Sequence, residues 1–322
     1  MAQHLSTGYL TRQGKLQRFK SRLVTDMKHN YTLYLLVLPV IAYYIVFRYF
    51  PIGGIQIAFK DYKPALGIFG SPWTIHYGFG HFIDFVTNPY FERLLRNTVL
   101  ISFYSLLFGF PAPIVLAIML SELRGRKYKK VVQTLTYFPH FISTVVVCGI
   151  ITQFALSDGL FNQIGQLFGA QPVSFLQKPE YFRTIYVGSG IWQGVGWSSI
   201  IYLAAIASVN SEVYEAAALD GAGRMRRIIH VTLPHIEPTI VLMLIMSVGN
   251  IMNVGSEKVL LLYNPSIYET ADVISTYVYR RGLLEFNFSF STAVNLMNSV
   301  INFLMVLGAN AISRKVSETS LF

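Results

Sequence analysis

Charge is scarce in this chain. Asp, Glu, Lys and Arg make up 13% of its 322 residues and hydrophobic residues 53%. Soluble domains carry roughly 25% charged residues, so a water-soluble globular body is excluded. Cysteine is all but absent: Cys148 stands alone, which rules out a disulfide within the chain and leaves the thiol to pack as a small hydrophobe. No GxxxxGK[ST] loop occurs, so the chain has no phosphate cradle of that kind and no ATP site by that route. The seven histidines form no HxxxH or HExxH pattern, and no Ser/His/Asp set with a nucleophile elbow is present. Candidate catalytic residues, metal ligands and bound cofactors are therefore none. Gly188, Gly190, Gly194 and Gly196 do not fit a dinucleotide fingerprint; Gly190 and Gly194 form a GxxxG pair, which predicts close helix packing.

What the chain has in quantity is uncharged length. Six stretches lack charge: Tyr31–Phe47, Asn97–Ser121, Val131–Ser157, Thr184–Ser211, Pro238–Ser256 and Phe286–Ser313. A membrane-spanning helix needs about 20 apolar residues. Five stretches reach 19 to 28 residues, and the 17 of the first gain reach from Arg48, which can snorkel at the helix end. The prediction is an all-α integral membrane protein with six transmembrane helices. Gly109-Phe110-Pro111-Ala112-Pro113 predicts a kink in the second, because two prolines delete backbone donors. The third is expected to start near Pro139. Leu160–Phe168 reads as a short external amphipathic helix.

The basic residues are unevenly placed. Arg12 to Lys28, Arg124 to Lys130, Arg224 to Arg227, and Arg314 with Lys315 hold 16 of the 26. Placing both termini in the cytoplasm puts all four clusters inside, at net +9 against +1 outside. The excess of positive charge is thus a topology signal and gives no support for nucleic-acid binding. No cleavable signal peptide is apparent at the start. Leu16, Phe19, Leu23 and Met27 recur at helical spacing among basic residues, which suits either an interfacial helix or a plain basic tail.

The most specific feature lies in the third basic cluster. Glu215-Ala216-Ala217, three residues, Gly221, nine residues and Val231-Thr232-Leu233-Pro234 form one twenty-residue register. The alanines favour helix and let a partner approach the backbone. Asp220-Gly221 is a turn dipeptide, Arg224 begins a basic run, and Pro234 suits the first turn of a following helix. This register resembles the EAA signature of permease subunits of binding-protein-dependent ABC importers. Phe138–Ser143, Asp272–Leu283 and the ending Ser317–Phe322 resemble the oligosaccharide and polysaccharide branch, alginate importers included. The similarity covers about residues 30–322.

The resemblance implies a type I (MetI-like) importer fold and alternating access. It implies a second, homologous permease subunit in a heterodimer, two ATPase subunits that hold ATP and Mg, and an external solute-binding protein, all at a bacterial inner membrane. It implies that a coupling helix at about 211–229 docks on the ATPase through Glu215, Ala216, Ala217, Asp220, Gly221 and Arg224. The expected organisation is a basic tail (1–30), a first span with its periplasmic segment (31–91), a core permease domain (92–314) and a cytoplasmic tail (315–322).

Polar groups inside spans are the remaining candidates, since they are costly in lipid and tend to face a cavity or another helix. Met246, Asn250, Asn253 and Glu257 fall on one expected helical stripe, Asn295, Asn298 and Asn302 on another, and Trp192 and Gln193 sit together. Amides pair with sugar hydroxyls and an aromatic face stacks on a sugar ring, so these residues either line a substrate path or bond helix to helix. Lys258, Arg280 and Arg281 are expected near the outer mouth, where they could attract an anionic sugar. A secondary carrier would show intramembrane acids, and a membrane-embedded glycan enzyme would show acid or histidine clusters; Glu257 is the nearest exception to their absence.

Overall fold

The computed structural model describes residues 25, 26 and 28–316. The interfacial helix expected around Leu16 to Met27 and the ending Ser317–Phe322 lie outside the described residues. Among those described, the chain is helical, with one isolated bridge between Lys60 and Trp73 and no strand. It divides into two units, Met1–Gln56 and Ile57–Phe322.

The first span, α1 (Tyr31–Phe59), outruns its uncharged stretch by twelve residues. It is apolar on every face, as a lipid-immersed helix is. Its last residues change pitch, through a π turn at Ile45–Tyr49 that contains Arg48 and then a tighter run, Phe50–Phe59.

In the second unit, α2 (Phe91–Glu122) is one 32-residue helix. The predicted kink is a single interrupted residue, Phe110, which keeps helical angles (φ −72°, ψ −44°) and bonds back to the Leu106 carbonyl at 3.1 Å. Pro111 begins a fresh helical register there, a position proline tolerates. The helix also starts six residues before Asn97, because Arg93 and Arg96 are engaged by Asp272 and the Glu269 carbonyl.

The third uncharged stretch is not a straight span. It folds as α3 (Arg126–Phe141) and α4 (Thr144–Phe154), bent by 98°. Pro139 leaves no donor to continue the first helix, and Ile142 and Ser143 are extended (ψ 132° and 148°). Ser143 then caps α4 by accepting the Val146 N–H at 3.4 Å. Eleven residues of α4 rise about 17 Å, well short of a hydrocarbon core of about 30 Å. The described residues thus contain five helices long and apolar enough to cross, and six spans if the bent pair counts as one. The short helix expected at Leu160–Phe168 is present as Leu160–Gln166.

Within the core, α5 (Pro179–Ala207) packs against α2, α3 and the later segment Leu233–Val248. Lipid is as apolar as leucine, so tight packing rather than water exclusion must hold such helices together. The closest approach falls on Gly196, where an added Cβ would collide with the Thr136 carbonyl of α3. The GxxxG pair does not serve this purpose: nothing lies within 4 Å of a Cβ at Gly194, and the nearest atom at Gly190 is the Lys258 ammonium. Gly196→Ala is therefore expected to cost about 1–3 kcal/mol as overpacking, read as a lowered unfolding temperature in detergent, whereas Gly194→Ala leaves that temperature unchanged.

After α5 come α6 (Ser211–Leu219), α7 (Arg224–Val248), α8 (Ser256–Leu262) and the final α9 (Phe288–Val316). Between α8 and α9 the chain makes short helical turns packed on the N-terminal part of α2. Buried Ile101, Val147, Phe182 and Val259 form one apolar cluster, and Phe85, Leu94, Tyr277 and Phe290 a second.

Candidate functional site

Two places combine unusual geometry with chemistry. The first is the elbow between α6 and α7. Asn210 starts α6, its side-chain oxygen accepting the Glu212 N–H at 3.0 Å. The helix ends in a paired closure: Ala222 N–H donates to the Ala217 carbonyl at 2.9 Å and Gly221 N–H to the Ala218 carbonyl at 3.1 Å. This is the Schellman arrangement, which needs a left-handed residue just past the end. Gly221 supplies it at φ +77°. Gly223 then caps α7, and the chain is helical from Arg224 onward. A π turn at Ile228–Thr232 carries it into the α-helical segment Leu233–Val248, with Pro234 in that segment's first turn. The sequence predicted that place for Pro234 but not the continuous helix before it; the wide turn absorbs the missing proline donor.

Two side-chain contacts brace the elbow. Tyr214 Oη lies 2.9 Å from Thr232 Oγ1, fastening α6 to α7, and Arg224 Nε pairs with Glu122 Oε2 at 2.8 Å, fastening α7 to the end of α2. The ion pair is half exposed and worth little by itself; its effect is to fix an angle. Glu215, Ala216, Asp220 and Gly221 are exposed, Ala217 is half-buried, and Leu219 is 90% exposed. An exposed, small-sided surface tipped with leucine results, with its polar backbone already satisfied.

The second place is a cavity of about 600 Å³ between α2, α5, α7 and the segment after α7. That size lies within the roughly 300–1,000 Å³ usual for small-molecule sites. Its wall includes Ser102, Tyr186, Gln193, Asn250, Asn253 and Lys258. Helix α7 stops at Val248, and residues 249–255 are non-helical before α8 begins. The stripe Met246, Asn250, Asn253, Glu257 expected from helical spacing therefore does not exist as one helix face. Backbone broken at this depth is tolerated where it lines a cavity. Asn302 of α9 holds the break: its Oδ1 accepts the Met252 N–H at 3.1 Å and its Nδ2 donates to Asn253 Oδ1 at 3.2 Å. Asn253 in turn reaches Asn250 Oδ1 at 3.4 Å.

The sequence-predicted path residues are thus divided. Gln193, Asn250 and Asn253 stand in the cavity wall, although Gln193 also donates to the Ile142 carbonyl at 3.0 Å, across the bend of the third span. Trp192, Glu257, Asn295 and Asn298 do not stand there: the first three are exposed, and Asn298 is buried on α9 with its Oδ1 unpaired. Residues the sequence reading left out include Ser102 and Tyr186. Tyr186, Gly190 and Gln193 recur at i, i+4 and i+7 on the cavity side of α5; of these the sequence singled out Gln193 for the path and Gly190 for helix packing. Among the described residues no group of three His, Cys, Asp or Glu is placed to hold a metal.

Broken helices around a largely apolar cavity that carries a few amides, hydroxyls and one ammonium, joined to an exposed elbow by one continuous helix, suit a solute-conducting membrane protein. Residues 109–318 match the family described as "Binding-protein-dependent transport system inner membrane component", and the chain belongs to it. It is 43% identical over 297 residues to "Protein LplB" of Bacillus subtilis, covering 92% of each chain. It is 42% identical over 309 residues to the "Polygalacturonan/rhamnogalacturonan transport system permease protein YteP" of the same organism, covering 96% of this chain and 95% of that one. Among solved structures it resembles a chain of a bacterial alginate ABC transporter in complex with alginate pentasaccharide-bound periplasmic protein. That match has a TM-score of 0.84 at 44% identity, over 93% of this chain and 100% of that chain. The chain is a multi-pass permease subunit of an ABC importer; it is a transport subunit and not an enzyme, and ATP hydrolysis falls to a separate subunit. The resemblance drawn from the EAA register is borne out, and the secondary-carrier and glycan-enzyme readings lose their ground.

Proposed function

We propose that this chain forms one membrane-spanning half of an importer of acidic oligosaccharides, driven by alternating access. The observation that carries the reading is the cavity wall itself: amides of Gln193, Asn250 and Asn253, four serines, two tyrosines and one ammonium, gathered where a span is broken. Sugars offer hydroxyls to amides, and carboxylates to a cation. Two relatives whose names specify polygalacturonan/rhamnogalacturonan and alginate support an acidic substrate.

The mechanism follows the helices. Glu215, Ala216, Ala217, Asp220, Gly221 and Arg224 form the surface that docks on an ATPase. Tyr214 and Thr232 transmit displacement of α6 into α7, a 25-residue rod about 37 Å long. Its far end is the break that carries Asn250 and Asn253, so movement at the elbow re-aims the amides around the substrate. ATP favours one state only through differential contacts at that docking surface. The complex comprises a second, different permease, two ATPases holding ATP and Mg, and a solute-binding protein. Both termini lie in the cytoplasm, as the basic clusters require. The organisation is a tail (1–30), a first span with its external segment (31–91), the conducting core (92–314) and a closing tail (315–322).

The test is ATP hydrolysis by the complex purified through this chain and reconstituted in lipid. Oligouronates presented with the solute-binding protein are expected to stimulate hydrolysis several-fold. Stimulation by neutral oligosaccharides alone, or uptake that follows an ion gradient without ATP, sinks the reading.

A further inference from the structure

Three cations were expected at the outer mouth, and the structure gives them different surroundings. Arg280 is committed: its guanidinium contacts both oxygens of buried Asp272, at 2.9 and 2.7 Å, and lies 5.1–5.9 Å from the rings of Tyr263, Tyr268 and Tyr277. Arg281 is paired with Glu285. Lys258 has no carboxylate within ion-pair distance among the described residues, and it alone of the three stands in the cavity wall.

Its position is built. The Lys258 ammonium donates to the Tyr186 carbonyl at 2.9 Å and lies 4.8 Å from the Tyr186 ring centroid. It occupies space that a side chain at residue 190 would contest: a Cβ there would lie 3.4 Å from Nζ. Gly190 is thus the notch that seats the lysine head. One protein hydrogen bond leaves two N–H donors unused. A half-buried ammonium without a counter-charge in a cavity wall is costly, and in membrane proteins such groups mark ligand paths. Burial pushes Lys258 down to about 8, so it still carries its charge at neutral pH.

We propose that Lys258 is the carboxylate-reading group of this cavity, pairing with a uronate carboxylate of the sugar in transit and setting the preference for acidic over neutral oligosaccharides. This rests on the cavity being the sugar path. Lysine suits the task better than arginine because its compact head has rotatable donors, whereas a planar fork fixes one bidentate geometry. A group on a conduction path must also release what it binds, and a single ion pair partly shared with Tyr186 does so more readily than a clamp.

The experiment uses the whole reconstituted complex carrying Lys258→Met or Lys258→Arg. Two probes of equal length are compared, an oligogalacturonate and its carboxyl-reduced neutral counterpart. Lys258→Met is expected to lower the stimulated kcat/KM for the acidic probe about tenfold or more, mainly through KM, and to leave the neutral probe within about twofold. Lys258→Arg, which keeps the charge, retains more of the acidic preference than Lys258→Met. An unchanged acid-to-neutral ratio in Lys258→Met overturns the inference, and so does an equal loss with both probes, which marks a purely structural role. A wild-type complex that responds to neither probe overturns instead the reading of the cavity as a sugar path, and the inference with it.

Discussion

A complex carrying Gly221→Pro is expected to insert in the membrane at normal levels and to lose nearly all ATP-driven uptake. Gly221 sits at φ +77°, and proline is locked near −65°, so the left-handed closure cannot form. Proline also deletes the N–H that donates to the Ala218 carbonyl at 3.1 Å, leaving the end of α6 to fray. Neither effect touches a span, and the surroundings of Gly221 are open, so folding of the core is spared. Gly221→Ala separates the causes: it keeps the N–H and meets no neighbour, but pays about 1–2 kcal/mol for left-handed backbone. Gly221→Asn, which tolerates that backbone, should keep most activity. Asp220→Lys leaves the backbone intact and reverses one exposed charge on the docking surface, and it too is expected to uncouple hydrolysis from uptake. The measurement is the ratio of substrate transported to ATP hydrolysed in proteoliposomes, beside the amount of ATPase that co-purifies. Wild-type uptake by both Gly221→Pro and Asp220→Lys would remove the elbow from the transport cycle.

The elbow was legible because its determinants are local. A glycine, three alanines and an asparagine cap fix their own backbone within a dozen residues, and no distant contact can override them. The spans were legible only as lengths. Counting from charge to charge ended the second span at Asn97, because a sequence does not reveal that Arg93 and Arg96 have partners 170 to 180 residues away. The same counting took Val131–Ser157 as the length of a third span expected to start near Pro139, since nothing in apolar composition reports a 98° bend. Pro139 marked the place, but proline is tolerated in many straight spans. The cavity was the least legible part. Asn250 and Asn253 were found as polar residues in lipid, yet their face was assigned on a helix that ends at Val248. What breaks that helix is held partly by Asn302, about fifty residues later, and spacing alone does not couple the two. Gly190 was read correctly as a place of close approach and assigned the wrong visitor, a helix instead of an ammonium.

The largest expected loss of stability lies outside both sites, at Asp272. Its side chain is fully buried, and both oxygens are used: Oδ1 accepts from Thr276 and Arg280 at 2.9 Å each, and Oδ2 from Arg280 at 2.7 Å and Arg93 at 3.3 Å. Burial works against the Arg280 cation, but the hydrogen bonds it makes to Asp272 and Tyr263 and the carboxylate's charge more than offset it and raise its pKa. The backbone is tied in as well, since Asn97 of α2 donates to the Asp272 carbonyl at 2.9 Å while Arg183 of α5 donates to Asn97 Oδ1 at 2.9 Å. Asp272 thus fastens the turns between α8 and α9 to α2 directly and to α5 through Asn97. Asp272→Ala leaves two arginines without their anion, and breaking a buried pair from one side costs about 3–5 kcal/mol. Part of Arg93 is exposed, so the lower end of that range is expected. The decisive comparison is the double variant Asp272→Leu with Arg280→Met, which removes both charges and fills similar volume. If unpaired charge is the cause, the double variant should unfold at a higher temperature in detergent than Asp272→Ala. Equal losses in the two would mean that the carboxylate's hydrogen bonds to Thr276 and Arg93, and not its charge balance with Arg280, hold these turns on α2.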